Sequence, residues 1–324
     1  MSQRDTLIKK NIDYSRPLDM FNIGFVGGDD LYTEPLKIYR AVFAGGWIGG
    51  QTNTMDYVTI DTTGNASDFG DLTVAVNDFG GCDSDTRGVF GGGNQPSSPY
   101  REDTMSYITI ASTGNATDFG NLTLARGGTG AASNDTRGIF AGGYAASGRV
   151  NTMDYITIAT TGNASDFGDL NANNQSPGGL ASTVRAVFAG GQATNGSAMN
   201  IMDYVTIAST GNATDFGDLT VARNKLGGMS NLTRGVFSNG EGGSTAEETI
   251  DYITIDTTGN ATDFGNSSSS RSATTATASD ARGLIAGGGG YNTTIDYITI
   301  ASTGNATDFG DLTVGRNGLA SCSD

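Results

Sequence analysis

The chain has 324 residues, including 50 glycines, 5 prolines, 2 cysteines and no histidine, and its formal charge is -16. The lack of histidine excludes Ser-His-Asp and Cys-His catalysis and histidine-ligated metals. The acidic balance argues against binding nucleic-acid phosphates, which requires a basic surface. No apolar run approaches the roughly 18 residues of a membrane span, so no membrane insertion is expected. Abundant glycine, threonine, serine, asparagine and aspartate predict a turn-rich, all-β protein.

The first 39 residues lie outside the internal repeat that fills the rest of the chain. They carry five bases and six acids, so their charge is nearly balanced. We predict that residues 1–39 form an N-terminal arm or attachment segment. The phrase IGFVGG, from Ile23 to Gly28, faintly resembles the repeat phrase VFAGG. A decayed repeat fragment therefore remains the alternative.

Residues 40–324 contain six copies of one unit. The phrase TGNATDFG or TGNASDFG recurs with its first glycine at Gly64, Gly114, Gly162, Gly211, Gly259 and Gly304. A second phrase, arginine followed by small and apolar residues, begins at Arg40, Arg87, Arg137, Arg185, Arg234 and Arg282. A third centres on Tyr57, Tyr107, Tyr155, Tyr204, Tyr252 and Tyr297. Repeats of this length indicate that each copy forms the same supersecondary structure and packs against its neighbours.

Each unit reads as four short strands separated by turn residues. In the unit that begins at Arg137, the phrases GIFAGG, DYITI and SDFGDL predict three of them, and the fourth precedes the next arginine. An LTVAR-like phrase ends 11 residues before each later arginine phrase, as at Val76 and Arg126, and its last copy ends at Arg316. Only eight residues, 317–324, follow that copy, while the first unit has no strand directly before Arg40. We therefore predict a six-bladed β-propeller in which residues 317–324 complete the first blade, since closure removes exposed strand edges. An open β-solenoid is the alternative.

The arginine phrase, the strand that ends in a glycine pair such as Gly142–Gly143, and the tyrosine strand together resemble the kelch repeat of β-propellers. The resemblance covers residues 40–324, although kelch units usually have tryptophan at the later aromatic position, where this chain has phenylalanine, as at Phe69. The near-identical phrase YITIASTGNATDFGDLTVAR also resembles repeats in structural proteins of tailed phages of marine cyanobacteria. That second resemblance implies a place on the virion, as a tail, fibre or decoration protein.

The loops at one end of the predicted blades differ in every unit, whereas the turns at the other end are almost invariant. Duplicated units that diverge on one face indicate contact with an asymmetric partner, and unconstrained drift is the alternative. Aromatic rings there can stack on sugars or anchor a protein. We select as candidate ligand-binding residues Trp47, Tyr100, Arg101, Tyr144 and Tyr291.

The repeated Asn and Asp residues raise the question of a metal site. Pairs such as Asp68 with Asp71 and Asp166 with Asp169 supply the oxygen ligands that calcium prefers, but the EF-hand pattern is absent. We interpret these residues as turn caps that bind their own backbone, with calcium as the alternative, and expect no other cofactor. Cys82 and Cys322 occupy equivalent positions and are predicted to be buried thiols.

No unit carries an acid pair that clearly departs from its siblings, so no catalytic residue is selected and no enzymatic activity is expected. The leading hypothesis is a non-enzymatic phage virion protein that binds other virion proteins or host-surface glycans. It would be attached through the arm and act as a homo-oligomer or part of a larger assembly. A free-standing lectin or adhesin is the second hypothesis, and a glycan-cleaving enzyme the third.

Overall fold

The computed structural model describes residues 38–324, and these residues contain strands but no helix. Of the predicted arm, only Ile38 and Tyr39 belong to this described part; the rest lies outside it. Nothing within residues 38–324 is a helix of the length and apolarity needed to cross a membrane. The described chain forms antiparallel four-stranded sheets, so the predicted all-β, β-propeller-like architecture is confirmed.

Six sheets contain four principal strands each, and we number them in chain order with their strands called first to fourth. Sheet 1 contains Ala320–Ser323, Arg40–Ala44, Thr52–Thr59 and Ser67–Val76; sheet 2 contains Gly80–Asp83, Arg87–Gly91, Thr104–Thr109 and Thr117–Asn121. Sheet 3 contains Gly130–Ser133, Arg137–Ala141, Thr152–Thr157 and Ser165–Asp169; sheet 4 contains Gly178–Ala181, Arg185–Ala189, Ile201–Thr206 and Thr214–Asp218. Sheet 5 contains Gly227–Ser230, Arg234–Ser238, Thr245–Thr254 and Thr262–Arg271, with Glu241–Gly242 paired to its third strand. Sheet 6 contains Thr275–Ala278, Arg282–Ala286, Thr294–Thr299 and Thr307–Asp311. Arg126–Gly127, Tyr144–Ala145 and Gly148–Arg149 form a small additional sheet.

The strand sequences account for the burial of each sheet. The second strands, such as Arg137–Ala141, are buried after their first residue, as expected for strands covered on both faces. The third strands are more mixed: in Thr152–Thr157, the tyrosine is half-buried and the final threonine is exposed. That tyrosine, Tyr155, meets the phenylalanine of the fourth strand edge to face, with ring centres 6.0 Å apart. The same pairing recurs in all six sheets.

The first strand of sheet 1 comes from the C-terminal end of the chain. Ala320–Ser323 pairs antiparallel with Arg40–Ala44, and Ala41 lies opposite Ser323. On its other side this strand contacts the first strands of sheets 2 and 6. The first strands of the remaining consecutive sheets also contact one another. Cys322 in this strand is fully buried, so the C-terminal residues are part of the core.

Six residues that precede the first strands are joined by backbone hydrogen bonds in a cycle. Each N–H donates to the carbonyl of the corresponding residue in a neighbouring unit: Asp78 to Gly318, Gly128 to Asp78, Ser176 to Gly128, Lys225 to Ser176, Ala273 to Lys225 and Gly318 to Ala273. All six have φ between 52° and 68°, although four of them are not glycine. Left-handed backbone is costly outside glycine, so the repeated contact must hold these residues in place.

Arginine side chains connect each sheet to the next. Arg40 stacks on Tyr57 of its own sheet, with Cζ 4.4 Å from the ring centre, and its Nη1 donates to Ile110 O of sheet 2 at 3.0 Å. Arg282 of sheet 6 makes the same bond to Ile60 O of sheet 1 at 2.9 Å. The four intermediate arginines, Arg87, Arg137, Arg185 and Arg234, do likewise with Ile158, Ile207, Ile255 and Ile300.

A second set of arginines forms buried ion pairs between neighbouring sheets. Each lies at or just after the end of a fourth strand and reaches the aspartate of the next sheet's third strand: Arg126 with Asp154, Arg223 with Asp251, Arg271 with Asp296, and Arg316 with Asp56. Sheets 1 and 2 are joined differently, because Val76 replaces the arginine and Ser106 replaces the aspartate. Phe79 and Phe90 pack there edge to face, with ring centres 6.2 Å apart. At this interface between sheets, apolar packing has thus replaced an ion pair.

Candidate functional site

The sheets present two unlike ends. Because the strands are antiparallel, the loops between second and third strands emerge at the same end as the segments that lead from a fourth strand to the next first strand. We call this end the variable face. The opposite end carries the first-to-second turns and the TGNATD turns, and we call it the joint face. Ile38 and Asp324 both lie at the joint face, next to Arg40.

The near-invariant TGNATD turns connect neighbouring sheets. Gly114 N donates to Phe69 O at 2.7 Å, and Ala116 N donates to Asp71 O at 2.8 Å. Gly70 has φ of +140°, and a Cβ on it would lie 2.5 Å from Gly114 O, so the glycine of the DFG phrase allows this close approach. The same pair of bonds recurs at every joint, including Gly64 N to Phe309 O between sheets 6 and 1. The uniformity of the turns thus follows from packing between sheets.

The predicted role of the turn asparagines is wrong in one respect. Asn115 Oδ1 accepts the N–H of Asp71 at 3.1 Å, across the joint between two sheets, rather than capping its own turn. The same cross-sheet bond is made by Asn65, Asn163, Asn212, Asn260 and Asn305. As for the calcium alternative, no three carboxylate or cysteine side chains within residues 38–324 converge on one point.

The predicted thiols are confirmed as buried and unpaired. Cys82 and Cys322 are both free, and burial raises the pKa of each thiol well above its usual value. Cys322 Sγ lies 2.3 Å from the position that a Cβ on Gly88 would occupy, so a larger residue at Gly88 has no room. The cysteines therefore act as packing residues.

Two of the five candidate residues, Trp47 and Tyr291, meet on the variable face. Trp47 Nε1 donates to the Tyr291 hydroxyl at 3.2 Å, which joins a loop of sheet 1 to a loop of sheet 6. Trp47 is also bridged to Asn317 in the segment before the C-terminal strand. Tyr291 keeps 49% of its surface exposed, so part of this aromatic pair is open to solvent.

The other three candidates, Tyr100, Arg101 and Tyr144, form a second group between sheets 2 and 3. Arg101 Nε donates to Tyr144 O at 3.0 Å, and its Cζ lies 5.2 Å from the centre of the Tyr144 ring. Tyr144 is half-buried and held by a second arginine, Arg149, with Cζ 5.6 Å from the ring centre. Tyr100 is 58% exposed. The candidate residues therefore form two separate clusters rather than one pocket.

Arg149 was not selected from the sequence, although a signal was present. It lies outside every repeated phrase, five residues after Tyr144 in the same loop. Like Arg101, it is a cation in a divergent loop that also contains an aromatic residue. Its guanidinium also bonds the side chain of Gln192, so loops of three consecutive sheets are linked here.

A single carboxyl group, that of Asp83, lines a cavity of about 130 Å³ enclosed by the first strands. Its oxygens accept Ser323 N at 2.8 Å and Ser133 Oγ at 3.4 Å. Burial raises the pKa of Asp83 to about 7, and the nearby carboxylates of Asp135 and Asp324 add to the effect. Serine occupies the equivalent position in three other first strands, at Ser133, Ser230 and Ser323.

Replacing Asp83 with serine should remove a pH-dependent loss in the free energy of unfolding. Between about pH 4 and 7 the folded chain retains a proton on Asp83 that the unfolded chain releases, so the free energy of unfolding falls as pH rises through this window. Serine at this position abolishes that fall. From pH 5 to pH 8, we expect D83S to gain about 2–4 kcal/mol relative to the wild type.

The measurement is urea denaturation of both proteins at each pH. An exposed acid of the joint face, Asp61, supplies the control, since D61S should leave the pH dependence unchanged. A difference between D83S and wild type that is the same at pH 5 and pH 8 would contradict the prediction.

No protein-family model matches this chain, and no curated protein matches it.

Proposed function

We propose that the chain is a non-enzymatic binding protein of a phage virion, built as a closed six-bladed β-propeller and bound to its partner through the variable face. The observation that carries the proposal is that the two faces differ: the turns of the joint face are used for packing between sheets, and the loops of the variable face expose aromatic residues. The uniform turns are occupied by bonds between sheets, as with Asn115 and Asp71. The divergent loops present Tyr100 and Tyr291 to solvent. Exposed aromatic residues on a rigid frame are suited to stacking on sugars or anchoring a protein.

Closure of the propeller is supported by contacts between the two ends of the repeat array. Ala320–Ser323 pairs with Arg40–Ala44, and Arg316 pairs with Asp56. The cycle of six backbone hydrogen bonds returns to Asp78 through Gly318. A closed ring leaves no unpaired sheet at either end, which an open stack would do.

The proposed place on a virion rests on the resemblance of the repeats to those of phage structural proteins. Ile38, where the described chain begins, lies at the joint face. The variable face lies at the other end of the sheets, away from Ile38. Such a protein would contact host-surface glycans or another virion protein, as one subunit of a larger assembly.

The experiment compares the full chain with a Y100A/Y291A variant on candidate host cells and on a glycan panel. Because both rings are about half exposed, their removal should leave the fold intact and reduce binding by about tenfold or more. A V184S/L232S variant changes two exposed apolar residues of the joint face and should bind like the wild type.

Saturable binding that is lost in Y100A/Y291A alone supports the proposal. Equal loss in both variants, or no binding by the wild type to cells, glycans or purified phage particles, contradicts it. Binding to glycans without association with particles favours the lectin or adhesin hypothesis, and turnover of a polysaccharide favours the enzyme.

A further inference from the structure

The arginines of the described chain fall into two classes. Ten of the twelve occupy repeated positions and are used in joints between sheets: Arg40, Arg87, Arg137, Arg185, Arg234 and Arg282 at the second strands, and Arg126, Arg223, Arg271 and Arg316 in the buried pairs. The two that remain are Arg101 and Arg149. Both lie on the variable face, and both flank the ring of Tyr144. The two arginines outside the repeated positions thus lie next to the same tyrosine ring.

The geometry keeps the two guanidinium groups apart and in fixed positions. Arg101 is held by its bonds to the carbonyl oxygens of Tyr144 and Tyr100, at 3.0 and 2.9 Å. Arg149 is held by the side-chain oxygen of Gln192. The ring of Tyr144 lies within 6 Å of both groups, a distance at which a cation is attracted to an aromatic face.

Neither arginine has a carboxylate partner among the described residues. The ion pairs of residues 38–324 involve other cations, and Lys225, the one described lysine, is paired with Glu241 at 3.3 Å. The acid next to Arg101 in sequence, Glu102, accepts the hydroxyl of Thr104 at 3.0 Å. Arg101 acts on the buried carboxylate of Asp78 through space but without an ion-pair contact. In a chain of formal charge -16, two guanidinium groups free of ion-pair contacts thus lie against one ring.

We propose that this site, formed by Tyr100, Arg101, Tyr144, Arg149 and Gln192, binds an anionic polysaccharide. Guanidinium groups recognise carboxylate and sulfate oxygens through paired N–H donors, and the exposed Tyr100 ring offers a stacking surface for the sugar. Gln192 holds Arg149 in place: its Oε1 accepts from the guanidinium, and its Nε2 donates to Gly196 O at 2.9 Å. The inference rests on the proposed binding function and adds to it the chemical class of the ligand.

The experiment uses the full chain and three probes: an oligogalacturonate, which is carboxylated, dextran sulfate, and neutral dextran. Dissociation constants are measured for the wild type, R101Q, R149Q and K225Q at two salt concentrations. K225Q removes one positive charge from the same face and serves as the matched control. We expect R101Q and R149Q each to weaken binding to an anionic probe by about tenfold or more, and K225Q by less than about twofold.

Both arginines also connect loops, so a glutamine substitution can act through loop structure. The variants R101K and R149K keep the positive charge but remove the planar guanidinium, and so separate the effect of charge from that of its paired N–H donors. Lysine keeps the charge but loses the paired donors, so its binding should fall between that of the wild type and that of the glutamine variants. Preference for oligogalacturonate or for dextran sulfate identifies the anionic group.

If K225Q weakens binding to the anionic probes as much as R101Q and R149Q do, the attraction is due to general charge and the proposal is overturned. Absence of binding to both anionic probes would also overturn it. These failures are distinguishable from failure of the proposed function. If neutral glycans or virion proteins still bind through Tyr100 and Tyr291, the variable face remains a binding surface and only its anionic ligand is wrong.

Discussion

Replacing Arg316 with valine is expected to lower the free energy of unfolding by about 3–5 kcal/mol, because it leaves the carboxylate of Asp56 buried without its partner. Both side chains are fully buried, and Arg316 Nη1 lies 2.8 Å from Asp56 Oδ2. The Nη2 group also donates to Phe43 O at 3.1 Å. Burial lowers the pKa of the Arg316 guanidinium, and the nearby Asp56 opposes that shift.

The chain itself supplies the matched control for this prediction. Between sheets 1 and 2, Val76 and Ser106 stand at the two positions that Arg316 and Asp56 occupy between sheets 6 and 1. There Ser106 Oγ lies 2.5 Å from Thr73 Oγ1, so a contact between hydroxyls takes the place of the bond that Thr313 Oγ1 donates to Asp56 Oδ1 at 2.5 Å. The double variant R316V/D56S reproduces these two positions of the natural joint, with Leu319 where that joint has Phe79, and removes the unpaired carboxylate.

Denaturant unfolding of the wild type, R316V, D56S and the double variant gives a complete thermodynamic cycle. We expect R316V/D56S to be more stable than R316V by about 2 kcal/mol or more, so that the two substitutions are strongly non-additive. Strict additivity, or a loss below about 1 kcal/mol in R316V, would mean that the pair does not connect the two ends of the repeat array.

The strands and their order could be predicted from the sequence, because each unit repeats the same alternation of polar and apolar residues. In the unit that begins at Arg137, the predicted strands coincide closely with Arg137–Ala141, Thr152–Thr157 and Ser165–Asp169. The register of the repeat fixes which residues are equivalent. It does not fix which equivalent positions meet between units, since that depends on how the sheets pack.

The buried ion pairs illustrate this limit. Arg316 and Asp56 are 260 residues apart, and nothing near either residue identifies the other. One clue was visible: the single unit with Ser106 in place of aspartate follows the unit with Val76 in place of arginine. The clue is incomplete, because Asn174 also replaces the arginine while Asp203 is retained. Asn171 bonds that carboxylate as Thr313 bonds Asp56, and burial raises the pKa of Asp203.

The sequence predicted on which face the candidate residues lie, but not that they form two clusters. Divergent loops were expected on one end of the sheets, and the five selected residues do lie there. Side-chain contacts decided the rest: Trp47 reaches Tyr291 across the ends of the array, and Arg149 encloses Tyr144 with Arg101. Loop conformation sets these contacts, and the repeat pattern carries no information about loops that differ in every unit.

Removal of the C-terminal strand is expected to have the second large effect. The strand Ala320–Ser323 fills sheet 1, and Cys322 within it is fully buried. The preceding residues supply Leu319 to the core and Gly318 to the cycle of backbone hydrogen bonds. Loss of these backbone bonds and buried side chains should cost about 5 kcal/mol or more, which is a large part of the stability of an ordinary domain.

Thermal unfolding of a chain that ends at Arg316, compared with the full chain, tests closure most directly. We predict a fall in the melting temperature of about 10 °C or more, or loss of a cooperative transition. A synthetic peptide of residues 317–324 should restore part of the loss, and a scrambled peptide should not. An unchanged melting temperature would contradict the closed six-bladed ring.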